Sequence, residues 1–169
     1  KDLVPVYPCM LASGFEQRLV DKITFPALVQ LKLDGMRFNA IVTKQNDEYS
    51  KVEFRSRNGK ELVIPNPDFA KQFLLMAEMM DLGDIVFDGE LLIQDSDGNP
   101  IDRQTGNGIL SKSIKGTMSE SEAASVHATL WDTIPLIPFK QGKFDIKYSV
   151  RFSDLKNFID VMSREDIFK

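Results

Sequence analysis

The chain is poor in the residues that build covalent cross-links and soft-metal sites. Of 169 residues, 1 is cysteine and 1 is histidine. Cys9 has no partner for an internal disulfide, which fits a reducing cytosol. It has no cationic neighbours in sequence and reads as an unreactive thiol. With His127 the lone imidazole, a His/Cys zinc site is excluded. Any metal should be a hard ion held by carboxylate and phosphate oxygens, with Mg²⁺ the leading candidate. Long hydrophobic runs are also missing. Nothing approaches about 18 consecutive apolar residues, so no membrane span is expected. Positive charge is not in excess: 21 Lys and Arg face 25 Asp and Glu, a net charge of −4. That excludes coating nucleic acid by bulk charge and leaves a local basic face open. There is no internal repeat and no low-complexity segment. Lys1-Asp2-Leu3-Val4-Pro5 has neither an initiator Met nor a signal pattern, the start expected of a processed or excised segment.

What is present suits one soluble domain with a sizeable core, at 43% hydrophobic and 27% charged residues. Leu28–Leu33 alternates, with Val29, Leu31 and Leu33 opposite Gln30 and Lys32. Met36–Val42 alternates again after Asp34-Gly35, so the two segments predict a β-hairpin. Lys51–Arg57 predicts a third strand. Asn66-Pro67 predicts a capped helix start, with Phe69, Phe73, Ala77 and Met80 on one face and Gly83 as terminator. Ile85–Ile93 predicts a strand with Asp88 and Glu90 on one side. Gln94–Gly108, rich in Asp, Gly, Asn and Pro, predicts a loop. Ser119–Glu122 fits a capping box, and Val126–Asp132 predicts a further strand. Ser149 opens a final helix with Phe152, Leu155, Phe158, Ile159 and Met162 as its buried stripe. Helices mixed with hairpin-connected strands give an α+β class with antiparallel sheet.

Lys32-Leu33-Asp34-Gly35-Met36-Arg37 concentrates a lysine, a carboxylate, a turn glycine and an arginine in one bend. At average usage a Lys-x-Asp-Gly-x-Arg string arises by chance in roughly one chain in 400 of this length. Alone it is suggestive, and an Asp-Gly turn flanked by solvated charges accounts for it equally. A lysine with a reference pKa of about 10.4 becomes a nucleophile when burial or neighbouring cations lower that value. Arg37 suits forked contacts with phosphate or carboxylate. Glu90 can receive a ribose hydroxyl or help hold Mg²⁺; the plain alternative for Asp88 and Glu90 is a solvated strand face. Trp131 by itself reads as core. Arg151, at a helix start, reads as a surface ion pair. Lys112 and Lys115 sit in a predicted loop, 106–116, that either contacts a DNA backbone or is a solvated linker.

Taken in order, these segments resemble the covalent nucleotidyltransferases, which comprise ATP-dependent DNA ligases, RNA ligases and mRNA capping enzymes. Lys32–Arg37 is similar to their nucleotidyl-lysine motif. Ser56-Arg57-Asn58-Gly59, Phe87-Asp88-Gly89-Glu90 and Leu130-Trp131-Asp132 are similar to the motifs that follow. Further similarity to the DNA ligases of T-even bacteriophages lies in Cys9–Ser13, Phe25-Pro26-Ala27, Ser111–Thr117, Trp131–Leu136 and Val150–Ser153.

The resemblance implies an ATP-grasp-like nucleotidyltransferase domain, here partial, and a three-step reaction. Lys32 takes AMP from ATP, the adenylate passes to the 5′-phosphate of a nick, and the 3′-hydroxyl displaces AMP. It implies that Gln30 reads the adenine edge, Arg37 and Arg57 contact ribose or phosphate, Glu90 contacts ribose and Mg²⁺, and Trp131 stacks on adenine. It places Arg57, Lys112, Lys115 and Arg151 against DNA. The implied partner is nicked double-stranded DNA, met by a monomer with no membrane attachment, in a bacterial host cytoplasm if phage-encoded. The family's two later lysine-bearing strands find no match after Trp131. Residues 1–169 are therefore expected to be an adenylylation domain incomplete on its C-terminal side, without an OB-fold or N-terminal DNA-binding domain, and with exposed sheet edges and apolar surface. The rival readings are an RNA ligase, a guanylyltransferase or a non-catalytic nucleic-acid-binding fragment.

Overall fold

The structure is a computed structural model that describes residue 14 and residues 16–164; Cys9 and the Cys9–Ser13 segment lie outside the described residues. In chain order the elements are α1 (Gln17–Val20), β1 (Met36–Gln45), β2 (Glu48–Ser56), α2 (Pro67–Met80), β3 (Ile85–Ile93), α3 (Arg103–Lys115), α4 (Glu120–Ala124), β4 (Val126–Pro135), α5 (Leu136–Gln141) and α6 (Tyr148–Arg164). The strands form one antiparallel sheet in the order β2-β1-β3-β4.

One face of the sheet carries Phe38, Ala40 and Val42 from β1 and Ile85, Phe87, Leu91 and Ile93 from β3. Against them lie Phe69, Phe73, Met76 and Ala77 of α2, Leu110 of α3, and Leu155 and Met162 of α6. Phe73 is the hub, edge-on to Phe38 at 6.0 Å and to Phe87 at 5.7 Å between ring centres. Each such fully buried side chain contributes about 1.5–3 kcal/mol of transfer free energy. On the opposite face Ile41 and Val86 pack under Leu136 and Phe139 of α5. That face is apolar at one end only. At the other end it presents Arg37, Asn39, Asp88 and Glu90, and there the cleft described below forms.

The α2 start is as its sequence predicts: Asn66 Oδ1 accepts from the Phe69 amide at 3.1 Å, with Pro67 at the first helical position. Its end is not. Asp81, in the left-handed region with φ 44°, caps the helix two residues before Gly83. The Ser119/Glu122 capping box forms as expected and opens α4.

Three local expectations are corrected. Residues 27–34 are not a strand. Both edges of β1 are already taken, by β2 and by β3, so no ladder remains for them. Val29 and Leu31, apolar in the alternation, are 93% and 88% exposed. The hairpin that does form on β1 turns at Asn46 and Asp47, both with positive φ (52° and 65°), which suits the two-residue turn between Gln45 and Glu48. Secondly, 103–115 is helix α3 and not loop. Asp102 Oδ1 accepts from the Thr105 amide at 3.0 Å, and Gly116 closes the helix with φ 67°. Thirdly, β4 runs on to Pro135, and the short helix α5 follows it.

Candidate active site

The site grows from the register of β1 against β3. Arg37 lies opposite Glu90, and Asn39 opposite Asp88. Asp88, which alternation alone allowed to be solvated, is 4% exposed. A carboxylate buried to that degree needs its charge and lone pairs satisfied. Arg37 supplies a fork, Nε to Oδ1 at 3.1 Å and Nη2 to Oδ2 at 2.5 Å, and Asn39 Nδ2 donates to Oδ1 at 3.0 Å. The Arg37 guanidinium carbon also lies 5.4 Å from the centre of the Trp131 ring, within cation–π range.

Two glycines are dictated by close backbone approach. A Cβ at Gly35 would sit 2.0 Å from the Leu91 carbonyl oxygen, and one at Gly89 2.3 Å from that of Thr129. Without a side chain, Gly35 brings its amide to Glu90 Oε1 at 3.0 Å and ties the Lys32 segment to β3. Burial pushes the Glu90 carboxyl up from its ordinary value, against the Gly35 amide and the positive charges of Lys32 and Arg37.

At Gly89 the register between β3 and β4 shifts. Asp88 pairs with Asp132 and Gly89 with Leu130, leaving Trp131 as an extra residue on β4. Such a bulge re-aims a side chain. Leu130 stays on the core side, while Trp131 and Asp132, consecutive in sequence, both serve the opposite side. Asp132 is 2% exposed and held by the Arg151 fork, Nε to Oδ1 and Nη2 to Oδ2 each at 2.8 Å. Arg151 is thereby turned into the fold. The surface ion pair its position suggested is a buried one that fastens α6 to β4.

A cleft of about 750 Å³ results. Gln30, Lys32, Arg37, Arg57, Glu90 and Trp131 all line it. So do Met36, Ser56, Asn58 and Ile114, which lie within the quoted motif segments but were given no role, and Lys60, which sequence reasoning did not single out. Lys60 had a visible signal, as the cation ending Ser56-Arg57-Asn58-Gly59-Lys60. Lys32 is exposed at the rim, and Asp34 beside it pairs with Arg103 Nε of α3 at 3.2 Å. Lys112 and Lys115 do not line the cleft: they occupy the last turn of α3, where Lys112 is bound to Glu122 and Lys115 is exposed. Among the described residues no group of three or more His, Cys, Asp or Glu is placed to cage a metal. Among them, too, no helix is long and apolar enough to cross a membrane.

The family model for the ATP dependent DNA ligase domain matches residues 9–167. The chain belongs to that family. Its relatives include the DNA ligases of Enterobacteria phage T6 and Enterobacteria phage T4, each 34% identical over 91% of this chain and 37% of the relative. The chain therefore spans little more than a third of the length of these ligases. Two solved structures, named Pmar-Lig_Pre and Pmar-Lig_PreS3, are 26% and 25% identical with TM-scores of 0.55 and 0.54, over 78% of this chain and 27% of theirs. The ligase family and its α+β architecture are thus established. Residues from Lys32–Arg37, Ser56–Gly59, Phe87–Glu90 and Leu130–Asp132 reach the walls of one cleft.

Proposed function

We propose that this chain is the adenylylation portion of an ATP-dependent DNA ligase, with Lys32 as the nucleophile. One observation carries the reading: Lys32, Gln30, Arg37, Arg57, Glu90 and Trp131, drawn from five separate segments, line one cleft. Its volume, about 750 Å³, lies in the range that small-molecule and cofactor sites occupy.

In the first step the Lys32 amine attacks the α-phosphorus of ATP. A phosphorus–nitrogen bond forms, the bond to the pyrophosphate oxygen breaks, and the amine proton is lost to solvent or to pyrophosphate. Arg57 and Lys60, both exposed on the cleft wall, are placed to neutralise phosphate charge by charge-assisted hydrogen bonds. Arg37 is held by Asp88 and acts at a fixed position beside Trp131. Trp131 offers its ring as a stacking surface for the base. Glu90, anchored by the Gly35 amide, is left one carboxylate oxygen for a ribose hydroxyl or a cation. The donor set fits Mg²⁺ only as an ion shared with the substrate phosphates, because among the described residues Glu90 is the one carboxylate lining the cleft and no group of three or more His, Cys, Asp or Glu forms a cage. When bound that way, the ion lowers the cost of charge building up on the phosphates.

The later steps, transfer of AMP to the 5′-phosphate of a nick and sealing by the 3′-hydroxyl, need nicked duplex DNA as partner. Of the four basic residues that the family resemblance sets against DNA, Arg57 and Lys115 are exposed and would meet its backbone. Arg151 and Lys112, already committed to Asp132 and Glu122, contribute to the fold first. Labelling of the protein by ATP and not by GTP, followed by transfer of the label to nicked DNA in preference to nicked RNA, tests the proposal. Labelling by GTP would point to a guanylyltransferase, and transfer to RNA to an RNA ligase. Salt-sensitive DNA binding without any covalent label, unaltered by Lys32→Ala, would point to a binding fragment.

A further inference from the structure

Tyr148 stands at the start of α6, two residues before the Val150–Ser153 segment and within the stretch that the family model matches. Its half-buried ring is stacked on Phe152 at 6.0 Å, with the Arg151 guanidinium carbon 5.5 Å from its centre. Its hydroxyl lies 2.9 Å from the Trp131 carbonyl oxygen and 2.9 Å from Gln30 Oε1. Both partners belong to the cleft wall. The hydroxyl therefore links the segment that carries Lys32 to the bulge that carries Trp131. Burial pushes the Tyr148 phenol up from its ordinary value, so the group keeps its proton at neutral pH.

That proton cannot serve both contacts. A carbonyl oxygen only accepts, a hydroxyl donates once, and a carboxamide either accepts through oxygen or donates through nitrogen. Once the proton is given to Trp131, the hydroxyl offers Gln30 only a lone pair. A half-turn of the Gln30 amide then places Nε2 on the hydroxyl, and both contacts are made at once; the two amide ends are interchangeable in shape. Oε1 is then the amide's other polar end, and on a residue that lines the cleft it can offer an acceptor to a bound base. An acceptor there favours an exocyclic amine and opposes a carbonyl oxygen.

We infer that Tyr148 is a positioning residue for base specificity: by fixing the Gln30 amide, it makes the cleft select a 6-aminopurine nucleotide over a 6-oxopurine one. The inference deepens the adenylylation reading and rests on it, since it assumes that the base lies between Trp131 and Gln30.

The test uses binding rather than turnover. Trp131 is the only tryptophan, and its fluorescence reports occupancy of the cleft. ATP and ITP, which differ at the 6-position, are titrated without divalent cation into the protein and into its Tyr148→Phe, Gln30→Ala and doubly substituted forms. Tyr148→Phe keeps the ring packing and removes only the hydroxyl. Gln30 is exposed and outside any helix or strand, so its truncation leaves the core intact. The expected result is a preference for ATP that falls about tenfold in Tyr148→Phe, on the scale of one hydrogen bond in a partly buried site. ATP affinity itself should fall less, and the double form should be no less selective than Gln30→Ala. A Tyr148→Phe form with the original ATP-to-ITP ratio, or with both nucleotides weakened equally, overturns the inference and leaves the adenylylation reading standing. So does a native protein that binds ATP and ITP alike. A native protein that binds neither overturns both.

Discussion

Gly89→Ala is the perturbation that loads the site geometry most directly. Its Cβ would lie 2.3 Å from the Thr129 carbonyl oxygen, 3.0 Å from Leu130 Cδ2 and 3.1 Å from Leu130 Cα. Carbon–oxygen contacts between neighbouring strands settle at about 3.3–3.6 Å, so β3 and β4 must part locally by about 1 Å. Two of the three obstructing atoms are backbone, and a rotamer change cannot relieve them. Overpacking of this kind costs about 1–3 kcal/mol, and one lost ladder hydrogen bond adds about 1 kcal/mol. The expected destabilisation is therefore about 2–4 kcal/mol, or a fall in Tm of roughly 5–15 °C for a domain of this size. Thermal unfolding followed by circular dichroism measures it. Because the bulge aims Trp131, ATP binding read from Trp131 fluorescence should also weaken below the melting range. An alanine variant that melts within 1 °C or so of the native protein and binds ATP normally would refute the argument that Gly89 is required by strand approach.

Asp88→Ala removes one side of an ion pair whose side chains, Arg37 and Asp88, are 15% and 6% exposed; losing this forked partner of a largely buried guanidinium should cost about 3–5 kcal/mol in chemical denaturation. Gly108→Ala should do the reverse: its Cβ would meet nothing within 4 Å, and a helical Gly→Ala change gains about 0.5–1 kcal/mol, visible as a higher Tm. Glu90 has its pKa raised in the folded chain. The free energy linked to it is thus present in full below the ordinary glutamate pKa and is lost as pH rises through the raised value. Glu90→Gln keeps an acceptor for Gly35 and should lack that loss, so native and Gln forms should diverge in a Tm-versus-pH series on the alkaline side, while the Gln form binds Mg²⁺-ATP more weakly. Arg57→Ala and Lys60→Ala, both at exposed positions, should leave Tm within about 1–2 °C and weaken ATP more than adenosine in the same fluorescence titration.

The parts of the fold legible in the sequence were those with local chemical cause. Asn66-Pro67 announced α2, the Ser119/Glu122 box announced α4, and the alternation of β3 placed Phe87 and Leu91 inward. What misled was alternation without a partner. Leu28–Leu33 reads as a strand until one knows that β2 and β3 occupy both edges of β1. Helix α3 was hidden by Gly106 and Gly108, whose unfavourable propensity, about 1 kcal/mol each, is offset by the Asp102 cap and by Leu110 in the core. The bulge at Trp131 is invisible to any period-2 reading, because it depends on which residue of β3 lies opposite. The burial of Asp88 was likewise hidden, since it follows from Arg37 and Asn39 on another strand. The cleft residues themselves were legible through the order of their motifs. Lys60 was within reach of the same signal, whereas Tyr148 was not, as its role exists only through contacts 17 and 118 residues away.

Intact mass after incubation with ATP and Mg²⁺, beside GTP and Lys32→Ala controls, tests the central claim most directly. The account predicts one AMP adduct, formed with ATP only and absent from Lys32→Ala. An adduct that persists in Lys32→Ala would contradict the assignment of the nucleophile, and so would a native protein that stays unlabelled even when extended to the full length of its phage relatives.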